Sequence, residues 1–248
     1  DRQYEADIIR VFATCVDKGL VYQSQKPVLW SYGAQTALAE AEVEYKEKSS
    51  PAIFVAFPAV NDDFSYVIWT TTPWTLPSNL GIALHPEFEY VVGRFQKENS
   101  LPKNYLVAAS LLESFQQKTG LTLQQEIRRL KGASLKGQSA AHPFLPRTST
   151  LVTGLFVTAE TGTGAVHLAP GHGTDDYNAG RENNLGLLSP VDDLGRFTSE
   201  AGLDFLTGKH VFEANEPIIA LLQEQGALIA REKYIHQYPH CWRSKTPI

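Results

Sequence analysis

The chain has 248 residues, of which 43% are hydrophobic and 20% charged, and its net charge is -5. This composition excludes a disordered or fibrous chain, and the acidic balance predicts no broad nucleic-acid surface, so any RNA contact should be small and local. No apolar run approaches the ~18 residues of a membrane-spanning helix, and the first residues lack the features of a secretory signal. Cys15 and Cys241 form no CxxC pair, which argues against a disulfide framework or a cysteine-rich zinc site.

Four segments have patterns typical of helices. In the first, apolar residues recur at roughly helical spacing and a glycine stands where the helix would end: Ile8, Ile9, Phe12, Val16, Leu20 and Gly19. The others are Ser110–Lys118 before Gly120, a segment that opens with Thr174 as N-cap, and Ala214–Gln225 before Gly226. Residues 36–45 combine helical propensity with alternating glutamates, and we interpret them as a strand.

Short apolar runs separated by Pro, Gly, Asn and Asp predict strands. They are Ala52–Phe57, Phe64–Thr70, Leu80–Leu84, Tyr90–Phe95, Tyr105–Ala108, Leu151–Thr158 and Ala165–Leu168. Residues 132–150 are rich in Gly, Ser, Thr and Pro, and we interpret them as irregular connection. Together these elements predict an α+β domain that is strand-rich and barrel-like, with peripheral helices.

The sequence does not support several familiar cofactor-binding, metal-binding and catalytic motifs. Residues 162–164 begin a GxGxxG pattern, but His167 occupies the sixth position and a strand is predicted to follow, which disfavours a dinucleotide site. The sequence has no GxxxxGK[ST], HExxH or GxSxG motif. His236, His240 and Cys241 lie close together without a second ligand pair, and we interpret them as packing and polar residues.

The segment from Trp69 to Asn79 is unusual because three consecutive threonines, 70–72, follow a predicted strand. Pro73 removes a ladder donor and directs the chain out of the sheet. One interpretation is the polar wall of a pocket, since hydroxyls supply short, rigid donors and acceptors and a tryptophan would bound the space. The other is a strand end and turn with Trp69 and Trp74 in the core, and the residues alone favour neither.

A second unusual segment, Gly162–Tyr177, places a Pro-Gly-His-Gly turn between a short strand and a helix start. Glycines let the backbone approach a ligand closely. Asp175 and Asp176 could serve only to complement the helix dipole, which stabilises a helix by ~0.3–1 kcal/mol for each acid. An acid on this turn is also well placed to hold an ammonium group through a charge-assisted contact, and we favour this functional interpretation.

These two segments resemble the inserted editing domain, connective peptide 1, of isoleucyl-tRNA synthetases. Trp69–Asn79 is similar to the threonine-rich peptide of that family, and Gly162–Tyr177 is similar to its second editing signature. The resemblance extends through Ala37–Tyr45 and Tyr238–Ile248, so it covers nearly the whole chain.

Three details define the resemblance more closely. Thr72 precedes Pro73 here, whereas the related leucyl and valyl enzymes carry a Thr-Thr-Arg-Pro variant. Residues 30–34 read Trp-Ser-Tyr-Gly-Ala where many relatives have a cysteine pair, so a zinc ion associated with that pair is not carried over. The HIGH and KMSKS signatures are absent, which implies that this piece does not activate an amino acid or charge tRNA.

The resemblance implies catalytic roles for four residues. Asp176, the second acid of its pair, would hold the α-ammonium group of the substrate and so fix the ester carbonyl for attack by water. We expect an orienting group more than a general base, because a carboxylate near its usual pKa of ~3.9 is a weak base at neutral pH. Thr70, Thr71 and Thr72 would bind the ester and the aminoacyl group, and one hydroxyl would position the water.

Three further residues would bind the substrate. His167 matches a pocket-wall residue that excludes the larger isoleucine, while Trp69 and Trp74 would line the apolar and adenine sides. The resemblance implies no metal, no covalent nucleophile and no cofactor for editing, since ATP is used only by the parent enzyme.

The implied reaction is the hydrolysis of valine from the terminal adenosine of isoleucine tRNA, which releases free valine and uncharged tRNA. Valyl-adenylate is left open as a second substrate. The binding free energies of isoleucine and valine in a hydrophobic pocket differ by only ~1–3 kcal/mol, a limit for which this family is itself the usual example. A second site that selects by size, a second sieve, is therefore needed. The alternatives are a non-catalytic module that binds the aminoacylated 3' end and an unrelated α/β oxidoreductase built on residues 162–164.

The organisation follows from the same resemblance. The absence of Met predicts a piece of a longer product, and the resemblance implies that residues 1–248 are a single editing domain from a larger synthetase. Residues 1–45 and 232–248 would form the stalk that connects it to the rest of the parent enzyme. The expected location is the cytoplasm of a bacterium or, as an alternative, an organelle, without a membrane partner.

Overall fold

Four α-helices and twelve strands form the regular structure of the computed structural model, which describes residues 1–248. The helices are α1 (Arg2–Asp17), α2 (Leu112–Thr119), α3 (Thr174–Glu182) and α4 (Asn215–Glu224). The strands are β1 (Trp30–Ser31), β2 (Thr36–Ala37), β3 (Val43–Pro58), β4 (Ser65–Thr70), β5 (Gly81–Leu84), β6 (Glu89–Gln96), β7 (Lys103–Ala108), β8 (Thr122–Lys131), β9 (Ser139–Ala141), β10 (Thr148–Thr153), β11 (Ala165–Leu168) and β12 (Leu228–Cys241). None of the helices is both long enough and apolar enough to cross a membrane.

The larger sheet has six strands in the order β12-β3-β4-β7-β6-β8. Its centre is buried on both faces, as the continuous apolar run of residues 52–57 in β3 requires, because such a run leaves no polar face for solvent. The largest fully buried side chains include Phe54, Phe57, Tyr66 and Tyr90, which anchor the main core. Burial of such aromatic and aliphatic side chains stabilises a fold by roughly 1.5–3 kcal/mol each.

Beyond this core, β3 and β12 continue as a two-stranded antiparallel ribbon. Residues 43–50 of β3 pair with residues 234–241 of β12 and with no other strand. We call this part the β3–β12 ribbon. Its side chains alternate between two faces that the sheet core does not cover.

The smaller sheet has the order β11-β5-β10-β9, and a bridge between Ala59 and Ala140 joins it to the larger one. Along β11, Val166 and Leu168 pack in a small second core, while Ala165 belongs to the main core. This alternation turns His167 to the Ala165 side, as expected for a strand. The end of β4 and the end of β11 thereby bring the two unusual segments of the sequence next to each other.

The strand-rich α+β architecture with peripheral helices is confirmed. Six of the predicted apolar runs lie in strands, with the same bounds for Ala165–Leu168, and the helix before Gly120 ends in the left-handed conformation that glycine favours. The first helix begins at Arg2, earlier than the periodicity predicted, and ends at Asp17 before Gly19, whose φ is +68°.

Four predictions are wrong in detail. Residues 132–150 are not wholly irregular, since they contain β9 and the start of β10, and β10 ends at Thr153 and not at residue 158. The N-cap of α3 is Gly173, and Thr174 is the first helical residue. Residues 36–45 contain the short β2, a 3-10 turn and the start of β3 in place of one strand. β8 and β12 were not predicted. β8 is largely exposed and carries no apolar run, and β12 has only the short apolar run 228–230 before its polar and aromatic residues.

The predicted stalk is not separated from the domain by a break in structure. Residue 232 lies inside β12, which continues to Cys241, and α1 has no buried residue. The division into an editing domain with stalk segments 1–45 and 232–248 stays a prediction.

Candidate active site

A pocket of about 750 Å³ lies where the segment after β4, the turn before α3 and the loop 187–195 meet. Four of the predicted site residues line it, namely Thr72, Trp74, His167 and Asp176. These side chains come from parts of the chain up to about a hundred residues apart. Thr70, Thr71 and Trp69 do not line it.

The three threonines differ in position because the chain leaves the sheet within them. Thr70 is the last residue of β4 and is buried, and its Oγ1 accepts the Thr72 backbone N–H at 3.1 Å. The Thr70 hydroxyl also lies 3.2 Å from the Thr72 hydroxyl. Thr72 therefore lines the pocket with its hydroxyl beside those of Thr70 and Thr75, and Thr71 lies outside this arrangement.

The two tryptophans also separate. The Trp69 Nε1–H donates to Glu232 Oε1 at 3.1 Å, and its ring meets Tyr234 edge-on at 5.1 Å, so Trp69 packs against β12 outside the pocket. Trp74 lies in the pocket wall, with its ring 5.1 Å from that of His172 in an edge arrangement. The Trp74 Nε1–H is buried without a hydrogen-bond partner, which leaves one free donor beside the pocket.

His167 is held by a chain of hydrogen bonds that fixes its tautomer. The Asn79 Nδ2 group donates to the Gly81 carbonyl at 2.8 Å, and the Asn79 Oδ1 accepts from Ser149, so this amide presents a donor to the His167 Nδ1 at 3.5 Å. With Nδ1 as acceptor, the His167 Nε2–H donates to the Thr75 hydroxyl at 3.0 Å. Thr75 in turn donates to the Thr72 carbonyl at 2.9 Å.

Burial keeps both histidines of the pocket neutral. It lowers the pKa of His167 to about 4, with a smaller contribution from His172, and it lowers the pKa of His172 to about 4 as well. The His172 Nε2 lies 2.8 Å from the Ser78 hydroxyl. At neutral pH the pocket wall therefore carries fixed, uncharged imidazoles.

Asp176 is the only acid of its pair that faces the pocket, since Asp175 is exposed. The Asp176 Oδ2 accepts the Ala169 backbone N–H at 2.8 Å. Burial raises the pKa of Asp176 to about 6, and the charge of Asp175 adds to the rise, while the backbone hydrogen bonds oppose it. The expectation of a carboxyl group near its usual pKa is therefore wrong, because the surrounding loops remove most of its solvent.

The glycines of the turn lie close to neighbouring groups of the site. A Cβ on Gly173 would lie 3.0 Å from the Asp176 carboxyl carbon, and a Cβ on Gly171 would lie 2.3 Å from the Leu188 carbonyl oxygen. At Gly171 the near atom is backbone, so no side chain fits there, whereas at Gly173 a Cβ would force the Asp176 carboxyl group to shift slightly. Gly162 and Gly164 have φ values of +81° and +77°, a conformation that favours glycine, and a strand follows them.

The motif-like residues near the C-terminus have local partners. The His236 Nε2 lies 3.0 Å from the Ser50 hydroxyl, and the His240 Nδ1 lies 2.8 Å from the Tyr238 carbonyl oxygen. The Cys241 Sγ accepts from the Ser244 backbone N–H at 3.4 Å. Cys15 and Cys241 are both free thiols.

Sequence reasoning missed Thr75, Asn79 and His172 as site residues. Thr75 and Asn79 belong to the threonine-rich segment and His172 to the glycine turn, so their proximity to the chosen residues was the available signal. No feature of the sequence indicated the outer part of the pocket. This part is built by the loops 25–30 and 187–195 and by the ends of distant elements.

Comparison with known proteins identifies the family of the chain. The family model described as tRNA synthetases class I (I, L, M and V) matches residues 1–243. The chain is 48% identical to an isoleucine–tRNA ligase of Persephonella marina over 251 residues, which cover 99% of this chain and 26% of that protein. It is 46% identical to an isoleucine–tRNA ligase of Thermotoga maritima over 248 residues, with the same coverage.

Two solved structures share the fold. The structure described as GlLeuRS-CP1 superposes with a TM-score of 0.55 at 14% identity and covers 74% of this chain and 99% of its own. The editing domain of the P. falciparum cytosolic leucyl-tRNA synthetase gives a TM-score of 0.56 at 10% identity, with coverage of 75% and 99%. At these identities the likeness concerns the fold alone.

The chain spans about a quarter of the length of the curated relatives that it matches. The resemblance to isoleucyl-tRNA synthetases that the sequence motifs predicted is confirmed by the matches over nearly the whole chain. The chain therefore belongs to the class I tRNA synthetases (I, L, M and V), and it shares the fold of two leucyl-tRNA synthetase editing domains.

Proposed function

We propose that this domain hydrolyses Val-tRNA(Ile) and thereby acts as the second sieve of an isoleucyl-tRNA synthetase. The observation that carries the proposal is one pocket in which a half-buried carboxylate, Asp176, lies with Thr72 and the hydrogen-bonded His167 ring. This set combines an anion for the substrate ammonium, a hydroxyl for the reacting ester and a rigid wall for the side chain.

Asp176 would bind the α-ammonium group of the valyl moiety. With a pKa of about 6, the carboxyl group is mostly ionised at neutral pH although burial disfavours its charge. An arriving ammonium group relieves this cost, because an opposite charge favours the ionised form and the contact is charge-assisted. Since the Ala169 N–H already holds one oxygen in place, the carboxylate serves as a fixed anchor that orients the ester carbonyl.

His167 would set the size limit of the sieve. Its ring is fixed between Thr75 and Asn79 and is neutral, so it forms a wall that does not yield readily to an added methylene. The Thr72 hydroxyl, supported by Thr70, would contact the ester and position the attacking water. Trp74, with its unpaired Nε1–H, would bound the apolar side.

Water is the nucleophile in this proposal, and no cofactor or covalent intermediate is called for. The products are free valine and uncharged isoleucine tRNA, and valyl-adenylate is a possible second substrate. The rest of the parent synthetase, where ATP is used, would supply most of the contacts that bind the tRNA. The similar ligases come from bacteria, which supports the bacterial cytoplasm as the location.

Deacylation of Val-tRNA(Ile) by the Asp176→Ala and Asp175→Ala variants tests the proposal. Asp176→Ala should lose at least about 100-fold in rate, because misplaced reacting groups have costs of that size. Asp175→Ala is the matched control and should be far milder, since its side chain is exposed. Equal losses would contradict the role of Asp176. Binding of the tRNA 3' end without hydrolysis by the wild type would instead favour a non-catalytic module.

A further inference from the structure

One face of the β3–β12 ribbon carries a row of aromatic side chains that the proposed reaction does not use. Tyr234, His236, Tyr238 and His240 alternate along β12 and therefore point to the same side. Successive ring centroids lie 5.5, 5.4 and 6.1 Å apart. Trp69 extends the row at its other end, 5.1 Å from Tyr234. We call these five side chains the aromatic row.

The aromatic row is continuous with the pocket. Tyr238 lines the pocket and also stands in the middle of the row, and its ring lies 6.1 Å from that of Phe212, another pocket residue. Tyr238 is buried, but Tyr234, His236 and Trp69 are each partly exposed. A chain that leaves the pocket past Tyr238 therefore meets exposed ring surface next.

Positive charge accompanies the aromatic row in a chain whose net charge is -5. Lys48 and Lys46 on β3 are the direct partners of His236 and Tyr238, so they lie on the same face. The Lys48 Nζ is 4.1 Å from the ring centroids of both Phe212 and Tyr238, and it makes no salt bridge. Lys46 and Lys245 both pair with Glu44, which leaves a net positive charge beside the row.

We propose that the aromatic row and Lys48 bind the single-stranded 3' end of the tRNA, at the nucleotides that precede the terminal adenosine. Proteins bind single-stranded nucleic acids with aromatic rings and nearby cations, because every base has a face that can stack on an aromatic ring. The surface is small and local, which agrees with an acidic chain. The inference rests on the proposed function in one respect, the direction of the RNA: its aminoacylated end is the end that enters the pocket.

The test compares two substrates in the 248-residue protein. One is Val-tRNA(Ile), and the other is valine esterified to adenosine alone, which has no preceding nucleotides. The Tyr234→Ala/His236→Ala variant should raise KM for Val-tRNA(Ile) at least about fivefold, because stacking on one ring has about that effect or more. Its kcat/KM for valyl-adenosine should remain within about twofold of wild type. The Ile235→Ala/Gln237→Ala variant, which alters the opposite face of the same strand, is the matched control and should change neither value.

A direct binding measurement keeps the inference separable from the proposed function. A fluorescent tetranucleotide RNA ending in CCA, without an amino acid, should bind the wild type and the control variant, and its Kd should rise at least about fivefold in Tyr234→Ala/His236→Ala. If the wild type hydrolyses neither ester but this difference in binding is present, the proposed function fails and the inference stands. Equal binding by all three proteins, no binding by the wild type, or equal affinity for duplex RNA would overturn the inference. Melting temperatures confirm that each variant is folded.

Discussion

Replacing Asp176 by asparagine should stabilise the domain at neutral pH while removing its activity. The amide keeps the shape of the carboxyl group, and its oxygen can still accept the Ala169 N–H, but it carries no charge. A site that anchors an ammonium group needs that charge, so deacylation should fall about 100-fold or more. The folded state, by contrast, should gain from the loss of a charge that is held mostly away from water.

The size of the stability change follows from the pKa of Asp176, which burial raises from 3.8 to about 6. The folded state binds the proton more tightly than the unfolded state, so this group stabilises the fold fully below about pH 4, and that stability is lost as the pH rises to about 6. A pKa shift of this size changes the free energy of unfolding by about 3 kcal/mol as an upper bound. Because water in the pocket screens the charge, we expect about 2 kcal/mol.

Urea unfolding at a series of pH values between about 4 and 8 measures the effect. The free energy of unfolding of Asp176→Asn minus that of wild type should increase by about 2 kcal/mol across the range and level off above about pH 6. Asp175→Asn, altered on the exposed neighbour, should retain most of the wild-type pH dependence. Parallel pH profiles for Asp176→Asn and wild type would refute the claim that this carboxyl group is buried at a cost.

Three further substitutions test other parts of the pocket. His167→Ala should raise the ratio of Ile-tRNA(Ile) to Val-tRNA(Ile) deacylation about tenfold or more, since one methylene is the difference the wall must detect; an unchanged ratio at an unchanged melting temperature would exclude the sieve role. Gly173→Ala should lower the single-turnover rate about three- to tenfold at similar stability, because its Cβ would shift the carboxyl group of Asp176 slightly. A wild-type rate would contradict this. Thr75→Val removes the acceptor for His167, so urea unfolding should show a loss of about 1–3 kcal/mol, and the same deacylation ratio should rise. No loss of stability would show that the hydrogen bond is not needed.

The sequence predicted those strands and helices whose buried side chains form a recognisable apolar pattern along the chain. Ala165–Leu168 was predicted with its observed bounds because a short apolar strand stands between glycines and a Pro-Gly turn. β8 could not be predicted in this way because most of its side chains are exposed. In the β3–β12 ribbon, β12 alternates between exposed and half-buried side chains, but the half-buried positions carry Tyr and His, so no aliphatic alternation marks the strand. Their pairing depends on strands far away in the sequence, which local patterns do not record.

For the site, the sequence predicted which segments meet but not which side chains face the pocket. Asp176 and His167 line it as the resemblance implied, whereas Trp69, still inside β4, packs against Glu232 and Tyr234 of β12. The direction of each threonine depends on where the strand ends, which only the three-dimensional structure gives. The raised pKa of Asp176 arises from the packing of loops such as 187–195, and no feature of the local sequence indicates it.

The central claim is that this pocket hydrolyses the smaller aminoacyl ester and spares the larger one. Single-turnover deacylation of Val-tRNA(Ile) and Ile-tRNA(Ile) by the wild-type domain, with Asp176→Ala as the inactive reference, measures it directly. The account predicts that the valyl ester is hydrolysed at least about tenfold faster than the isoleucyl ester. Comparable rates on the two esters, or no hydrolysis of the valyl ester above that of Asp176→Ala, would contradict it.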